Sequence, residues 1–289
     1  MLTHHSSLLF VGIFFTLAAC GGGAGASAPV QPGSIVFELT DAPIDPALLA
    51  SAVIEVDAIR VHRQVDGDAG FETVFDARDP LVVDLLTLRN GITQPIQAGF
   101  LEPGSYRHAR VLVSDAALTL RSGKEFSTRA GTIQLTNQDA SGFRILFDPP
   151  VEVRPGVQTR ILLDFQVLKT FSPIPGNDLE NARTFHMHPI VRFAVLQETG
   201  ELRGVVTTTD DLGAVLPAAG AAVYVLDPAE TDLERALATS LADDAGMAAI
   251  LGLPAGTFDV VATHGEKQGR QNGLVIAAEA VTSFAVQVQ

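Results

Sequence analysis

The sequence predicts an all-β protein, and two observations carry that prediction. Apolar residues alternate with polar ones, or run together, in short segments rich in Val, Ile and Phe, which is the pattern of half-buried and buried strands. Gly, Pro, Asn and Asp separate these segments at short intervals, and no convincing long amphipathic helix interrupts them. Many short strands joined by such turns are typical of β-sandwiches and β-barrels.

The segments that we interpret as strands fill the chain from residue 34 to residue 196. They are 34–39, 52–63, 71–76, 81–88, 106–113, 132–135, 143–147, 159–167 and 189–196. The sequences VDGDAG at 65–70 and RNG at 89–91 supply turn residues between them. Asp45, followed by Pro46, predicts one short helical turn, because a carboxylate caps free N–H groups and proline suits the first helical position.

The N-terminus has the features of an export signal followed by a tether. The apolar run at 8–19 is too short to span a bilayer, but it has the length of the hydrophobic region of a secretory signal peptide. The segment before it carries His4 and His5 instead of the usual Lys or Arg. The stretch at 21–33 is rich in Gly, with no charge and no apolar period, which predicts a flexible tether. Between the two lies Cys20, the single cysteine, which cannot form an intramolecular disulfide.

The residues LAAC at 17–20 resemble the lipobox of bacterial lipoproteins. The resemblance implies that a diacylglycerol is attached to the Cys20 sulfur, that residues 1–19 are removed as a signal peptide, and that a fatty acid such as palmitate acylates the new amine. It therefore implies a cell-envelope protein that meets the membrane through a lipid anchor, since two or more acyl chains make release slow. The residue after the cysteine is Gly21 and not Asp. In such lipoproteins this implies a location in the outer membrane if the source is Gram-negative.

A second set of strands begins after QETGE at 197–201, and we predict a domain boundary there. The sequence DDAG at 243–246, followed by LPAGTFDV at 253–260, resembles the carboxypeptidase regulatory-like and transthyretin-like modules. The resemblance implies a small, non-catalytic β-sandwich that acts as a spacer or folding aid. The predicted protein therefore has two β-sandwich domains, Ig-like or prealbumin-like. Its predicted segments are the signal peptide (1–19), the acylated Cys20 with its tether (20–33), a large all-β domain (34–197) and a small β-sandwich (201–289).

An ordered series of short motifs in the first domain resembles a bacterial lipoprotein family defined only by a domain of unknown function, numbered 4382. The motifs are LTDAP at 39–43, DLL at 84–86, NG at 90–91, PGSY at 103–106 with Arg110, LDF at 163–165 and PIVR at 189–192. The resemblance implies an envelope location and an all-β architecture, and it implies no catalytic residue.

The charge balance excludes one class of partner. The chain has 33 Asp and Glu against 19 Lys and Arg, and its isoelectric point is near 4.8. A surface of that sign repels phosphate backbones, so we expect no nucleic-acid partner. The expected partners are the membrane, through the lipid, and an envelope protein or polysaccharide.

Three aspartates are candidates for structural or binding carboxylates. Asp164 lies within the apolar run RILLDFQV, where an unpaired charge is costly, so we expect it to face an arginine or backbone N–H groups. Asp41 precedes Ala-Pro and is expected to form an Asx turn or cap. Asp84 belongs to the DLL motif.

The sharpest candidate for metal chemistry is FHMHP at 185–189. His186 and His188 are two residues apart on a predicted strand, so their imidazoles point to one face and could share Zn²⁺ or Cu²⁺. His62 or His108 could supply a third ligand. The competing interpretation is a pair of exposed polar residues without a metal.

The predicted function is non-catalytic binding or structural display at the cell envelope. The motifs of serine hydrolases, zinc proteases and phosphate-binding loops do not occur in the sequence. One alternative is a glycan hydrolase that uses paired carboxylates, Asp41 with Asp45 or Asp76 with Asp79, held at catalytic separation. The other alternative is a periplasmic zinc or copper carrier that uses the two histidines of FHMHP.

Overall fold

The computed structural model confirms the all-β prediction. It describes residues 30–41, 48–63, 70–135, 142–176 and 178–289. The signal peptide, Cys20, the turn at Asp45-Pro46 and most of the VDGDAG turn lie outside the described residues. Within them, no helix is long and apolar enough to cross a membrane.

In the first lobe, residues 33–195, the described residues form twelve strands in three sheets. The strands are β1 (Gly33–Asp41), β2 (Leu49–Arg63), β3 (Phe71–Asp84), β4 (Gln94–Leu101), β5 (Gly104–Leu120), β6 (Glu125–Ser127), β7 (Ile133–Leu135), β8 (Phe143–Val153), β9 (Gln158–Phe165), β10 (Phe171–Ile174), β11 (Thr184–Met187) and β12 (Val191–Val195). The sheet orders are β12-β9-β1-β4, β3-β2-β5 with β6 and β8 also paired to β5, and β10-β11-β7. A single helical turn, α1 (Val167–Thr170), follows β9.

The second lobe, residues 199–288, contains eight strands in two sheets that face each other. The strands are β13 (Thr199–Thr209), β14 (Val215–Pro217), β15 (Ala222–Leu226), β16 (Ala238–Leu241), β17 (Met247–Pro254), β18 (Gly256–His264), β19 (Lys267–Ile276) and β20 (Val281–Gln287). The sheet orders are β14-β13-β17 with β20 also paired to β13, and β16-β15-β18-β19. Short 3₁₀ segments lie at Leu85–Thr87, Leu196–Glu198 and Leu233–Arg235.

Each lobe has its own hydrophobic core, and both belong to one compact unit, Gln31–Gln289. The first core draws side chains from all three sheets, with Phe37, Phe165 and Phe185 fully buried. The second core lies between the two sheets of the second lobe. The alternation seen in the sequence is thus the alternation of core-facing and outward-facing positions.

Two predicted strands, 71–76 and 81–88, form one continuous strand, β3, that ends at Asp84. The prediction of strand over 85–88 is wrong. Those residues form the 3₁₀ turn Leu85–Thr87, because the Asp84 carboxylate accepts a hydrogen bond from the Leu86 N–H and caps the turn. The predicted strand at 159–167 likewise ends at Phe165, and α1 takes Val167.

The sequence pattern missed β4, which contains Pro95 and Gly99. Both residues argue against an interior strand. The structure resolves the conflict by placing β4 at the edge of its sheet, beside β1. The RNG turn before it is present, with positive φ angles at Asn90 (60°) and Gly91 (79°), as tight turns of this composition require.

Candidate functional site at the junction of the lobes

Strand β9 is covered on both faces, which explains its unbroken apolar run. Ile161 and Leu163 belong to the first core. Leu162 and Asp164 alternate with them, and both are buried on the opposite face, which the second lobe covers. A strand buried on both faces has no polar face to alternate, so its sequence reads as a continuous apolar stretch.

Asp164 is paired with an arginine, as the sequence led us to expect. Strand β12 places Arg192 directly opposite Asp164 in antiparallel register. Its Nε and Nη2 lie 3.1 and 2.9 Å from Asp164 Oδ2. Both side chains are largely buried, with exposed fractions of 17% and 9%, so solvent screens this ion pair little.

Arg192 also contacts the second lobe. Its Nη1 donates to the carbonyl oxygen of Gly252 at 2.6 Å, and its Nη2 donates to that of Leu251 at 2.9 Å. One guanidinium therefore holds a carboxylate of the first lobe and two backbone carbonyls of strand β17. The planar guanidinium, with five N–H donors fixed in a fork on three nitrogens, allows this, whereas a lysine ammonium carries all its donors on one nitrogen.

Asn90 forms the second polar contact between the lobes. Its side chain accepts a hydrogen bond from the Ala249 N–H at 2.5 Å and donates to the Met247 carbonyl at 3.2 Å. An asparagine amide can satisfy both groups of a strand backbone in this way. Asn90 lies in the RNG turn, so the turn predicted from the sequence also contacts β17.

Asp41 ends β1 beside this junction, and its exposed fraction is 5%. Neither carboxylate oxygen accepts a hydrogen bond of normal geometry from the part of the chain that the structure describes. Burial raises its pKa well above the ordinary value, and the charges of Asp164 and Asp84 raise it further. The Val167 N–H and the Arg89 guanidinium favour the ionised form but do not offset these effects. The surroundings of the Asp41 carboxyl group thus favour its neutral form more strongly than water does.

The expected Asx turn at Asp41 is not visible within the described residues, whereas Asp84 does form a local cap. Asp84 Oδ1 accepts hydrogen bonds from the backbone N–H groups of Ala52 and Leu86, each at 3.1 Å. The three candidate carboxylates therefore lie in one region with three roles. Asp84 caps a turn, Asp164 holds an arginine, and Asp41 has a raised pKa.

An open cavity of about 470 Å³ lies next to this region. Its lining includes Asp41, Asp84, Arg89, Asn90 and Asp243. The first lobe supplies most of the lining, and the second lobe contributes Asp243.

The alternative carboxylate pairs occupy different positions. Asp45 lies outside the described residues, so its separation from Asp41 is not seen. Asp76 and Asp79 are both exposed on β3. The hydrolase hypothesis stays a prediction.

The two histidines of FHMHP lie at the end of β11. His186 is partly buried and His188, one residue past the strand, is exposed. His62 and His108 stack on each other in a different sheet, with ring centroids 4.7 Å apart. Among the described residues, no three His, Cys, Asp or Glu side chains are arranged to hold a metal ion. The zinc or copper site stays a prediction.

The fold and the junction show which class of protein this is: an all-β protein whose two lobes are joined through polar side chains. A family model described as a domain of unknown function, DUF4382, matches residues 32–185. The chain belongs to this family. The match covers the first lobe from β1 into β11, and it therefore includes Asp41, Asp84, Asn90 and Asp164.

No curated protein sequence matches the chain. Among solved structures, it is similar to the proposed carbohydrate-binding protein PA1324 of Pseudomonas aeruginosa, with 14% identity, a TM-score of 0.24, and coverage of 32% of this chain and 91% of that one. It is also similar to GBS52, the minor pilin of Streptococcus agalactiae, with 10% identity, a TM-score of 0.22, and coverage of 88% and 95%. A proposed cell adhesion protein from Bacteroides ovatus shows 10% identity, a TM-score of 0.24, and coverage of 90% and 93%.

Gly252 offers a test of how closely the lobes fit. A Cβ on this residue would lie 2.8 Å from Ala194 Cβ and 2.9 Å from Leu162 Cδ2, and its φ is +66°. We expect Gly252→Ala to lower the free energy of unfolding by about 3 kcal/mol or more, because overpacking adds to the cost of a left-handed backbone. The matched control is Gly265→Ala, with φ +62° and open space around it, which should cost only about 1–2 kcal/mol. If urea unfolding shows the same loss of free energy for Gly252→Ala and Gly265→Ala, the contacts around Gly252 do not limit how closely the two lobes pack.

Proposed function

We propose that the protein is a lipid-anchored component of the cell envelope with a non-catalytic binding or structural role. One observation carries the proposal. Apart from Asp41, the polar residues of the family motifs near the junction are engaged in holding the fold rather than presented to a substrate. Arg192, Asp164 and Asn90 bind one another or strand β17, and Asp84 caps a turn.

Thr40 extends this pattern. Its hydroxyl donates to the carbonyl oxygens of Leu88 and Ile92, at 2.7 and 3.0 Å, which ties β1 to the two ends of the RNG turn. Groups committed to such bonds are less available to take up a proton or attack a substrate. The motifs are therefore better suited to fixing two lobes as one body than to chemistry.

The lipobox at 17–20 and the Gly-rich stretch after it support the anchor. A diacylglycerol on Cys20, together with an acylated amine, would hold the chain at a membrane. The tether would keep the two lobes clear of the headgroups. In this proposal the first lobe presents its sheet surfaces to an envelope partner, and the second lobe stiffens it.

The test of the anchor is the intact mass of the native protein extracted from membranes in detergent, compared with a Cys20→Ser variant. We expect a chain that begins at Cys20 and carries acyl groups, and we expect the variant to lose both the lipid and the membrane association. An unmodified mass in the soluble fraction would contradict the anchor and leave a secreted protein.

A further inference from the structure

Strand β17 lies at the edge of its sheet, and within the described residues it pairs with β13 alone. On its other side, two side chains of the first lobe bond to its backbone. Asn90 takes the Ala249 N–H and the Met247 carbonyl, and Arg192 takes the Leu251 carbonyl. An open strand edge is a template for pairing with another chain. The first lobe therefore helps to cover this edge with side chains instead of a strand.

The asparagine that covers this edge is followed by a glycine. Asn90 and Gly91 are the central residues of the RNG turn, across which the Ile92 N–H donates to the Arg89 carbonyl at 3.3 Å. Gly91 has no side chain to shield its nitrogen from the side chain before it. In the part of the chain that the structure describes, no hydrogen bond occupies the Gly91 N–H. The nitrogen next to the asparagine is thus both unshielded and unoccupied.

An asparagine followed by glycine can lose its side-chain amide without an enzyme. The Gly91 nitrogen attacks Asn90 Cγ, a new C–N bond forms, the Cγ–Nδ2 bond breaks, and ammonia leaves with the proton of the Gly91 N–H. Water then opens the cyclic succinimide at either carbonyl and gives aspartate or isoaspartate at position 90. The net reaction consumes water and releases ammonia, and it needs no oxidant or reductant.

The docked second lobe restrains this reaction. Both ends of the Asn90 amide are held by β17, with Oδ1 2.5 Å from the Ala249 nitrogen and Nδ2 3.2 Å from the Met247 oxygen. Ring closure moves the amide carbon towards the backbone of its own turn, so the amide must first leave both partners. Deamidation of Asn90 is therefore slow while the lobes are docked, and it becomes faster when they separate.

The product of the reaction does not fit the junction as the asparagine does. A carboxylate at position 90 has no N–H to donate to the Met247 carbonyl. It would also lie beside the Asp243 carboxylate, whose Oδ2 is 3.5 Å from Asn90 Nδ2, and like charges at this separation repel. Isoaspartate, in addition, inserts a methylene into the main chain of a tight turn. The modified turn therefore opposes renewed docking against β17.

We propose that Asn90–Gly91 is a site of spontaneous deamidation that the docked second lobe protects, and that the reaction, with water as co-reactant, releases the edge of β17. Separation of the lobes exposes the asparagine, and its modification then keeps the edge uncovered. The reaction thus records lobe separation irreversibly. It takes place in the folded chain whether or not Cys20 carries a lipid, so it goes beyond the envelope role proposed above.

The chain contains a matched control, since Asn272–Gly273 is a second asparagine followed by glycine. Asn272 Oδ1 accepts a hydrogen bond from Arg270 Nε at 2.8 Å, and the Gly273 N–H donates to Asp259 Oδ1 at 2.8 Å. All of these groups belong to the second lobe. Separation of the lobes should therefore leave the rate of deamidation at Asn272 unchanged.

The first test incubates the full-length chain at mildly alkaline pH and follows both asparagines by peptide mass spectrometry, which detects replacement of the amide by a carboxyl. Arg192→Met removes the other polar contact between the lobes, so it should speed deamidation of Asn90 by about tenfold or more and leave Asn272 unchanged. Equal rates at Asn90 in the two proteins, or no reaction there in either, would overturn the proposal. A parallel rise at both asparagines would also overturn it, because it would reflect unfolding of the whole chain.

The second test examines the product directly and holds even where Arg192→Met does not fold. In Asn90→Asp, hydrogen–deuterium exchange of the peptide that contains residues 247–251 should quicken by about tenfold or more, because the lost donor and the repulsion from Asp243 open the edge of β17. Asn272→Asp should leave the exchange of that peptide unchanged. Exchange in β17 that is the same in Asn90→Asp and the unaltered protein would overturn the proposed release.

Discussion

Replacing Arg192 with methionine is expected to lower the free energy of unfolding by about 3–5 kcal/mol, because removal of one partner leaves a buried charge uncompensated. The buried partner is Asp164, which would keep its carboxylate in a space closed by the second lobe. The carbonyl oxygens of Leu251 and Gly252 would each lose a donor as well. Urea denaturation, followed by circular dichroism, measures the change.

Two variants separate the ion pair from other effects of the Arg192 substitution. Arg192→Met combined with Asp164→Leu should recover part of the loss, since no buried charge then remains. Arg203→Met removes an arginine that pairs with Glu201 while more than half exposed, and it should cost less than about 1 kcal/mol. If Arg192→Met and Arg203→Met cost the same, the guanidinium does not hold the lobes together.

Asp41→Asn is expected to raise the free energy of unfolding at neutral pH by about 1 kcal/mol or more, because each unit by which burial raises the pKa of a carboxyl costs the folded state about 1.4 kcal/mol once the pH is above that pKa. The pKa of Asp41 is raised in the folded protein, so the folded state keeps a proton that the unfolded state releases above about pH 4. This group therefore contributes most stability below that pH, and its contribution falls as the pH rises towards the folded pKa. Asparagine resembles the neutral acid and does not titrate.

The measurement is urea unfolding of Asp41→Asn and the unaltered protein at several pH values. The difference between them should be small at pH 3.5 and grow towards neutral pH. Asp79→Asn, which removes an exposed carboxylate on β3, is the control and should give a small difference at every pH. A loss of stability for Asp41→Asn across the whole range would show that the Asp41 carboxylate is ionised and bonded.

The sequence predicted several local features from residue type alone. The RNG turn at 89–91 has the positive φ angles that its composition demands. The DDAG turn at 243–246 is present, and the Asp243 carboxylate accepts hydrogen bonds from the N–H groups of Ala245 and Met247, both at 2.9 Å. In both turns the backbone angles and hydrogen bonds involve residues within a few positions of one another, so the local sequence is enough to predict the turns.

The side-chain neighbours that the sequence did not reveal depend on strand register. RVH at 60–62 and HAR at 108–110 are mirror images. In antiparallel strands such mirror images can place Arg opposite Arg and His opposite His, as they do here. This was a usable signal for the pairing of Arg60 with Arg110, but only once β2 and β5 were known to be neighbours. Arg144 could not be added without the pairing of β8 to β5.

The sequence by itself determined the all-β class, most strand positions and the local turns, because alternation and turn chemistry record which side of the backbone is buried. Only the tertiary structure decided that Asp41, Asp84 and Asp164 share one region, that Arg192 bridges the lobes, and that three arginines lie opposite one another on neighbouring strands. The physical reason is that periodicity tells whether a side chain faces inward. Which distant side chain it meets depends on strand register and on the packing of one sheet against another.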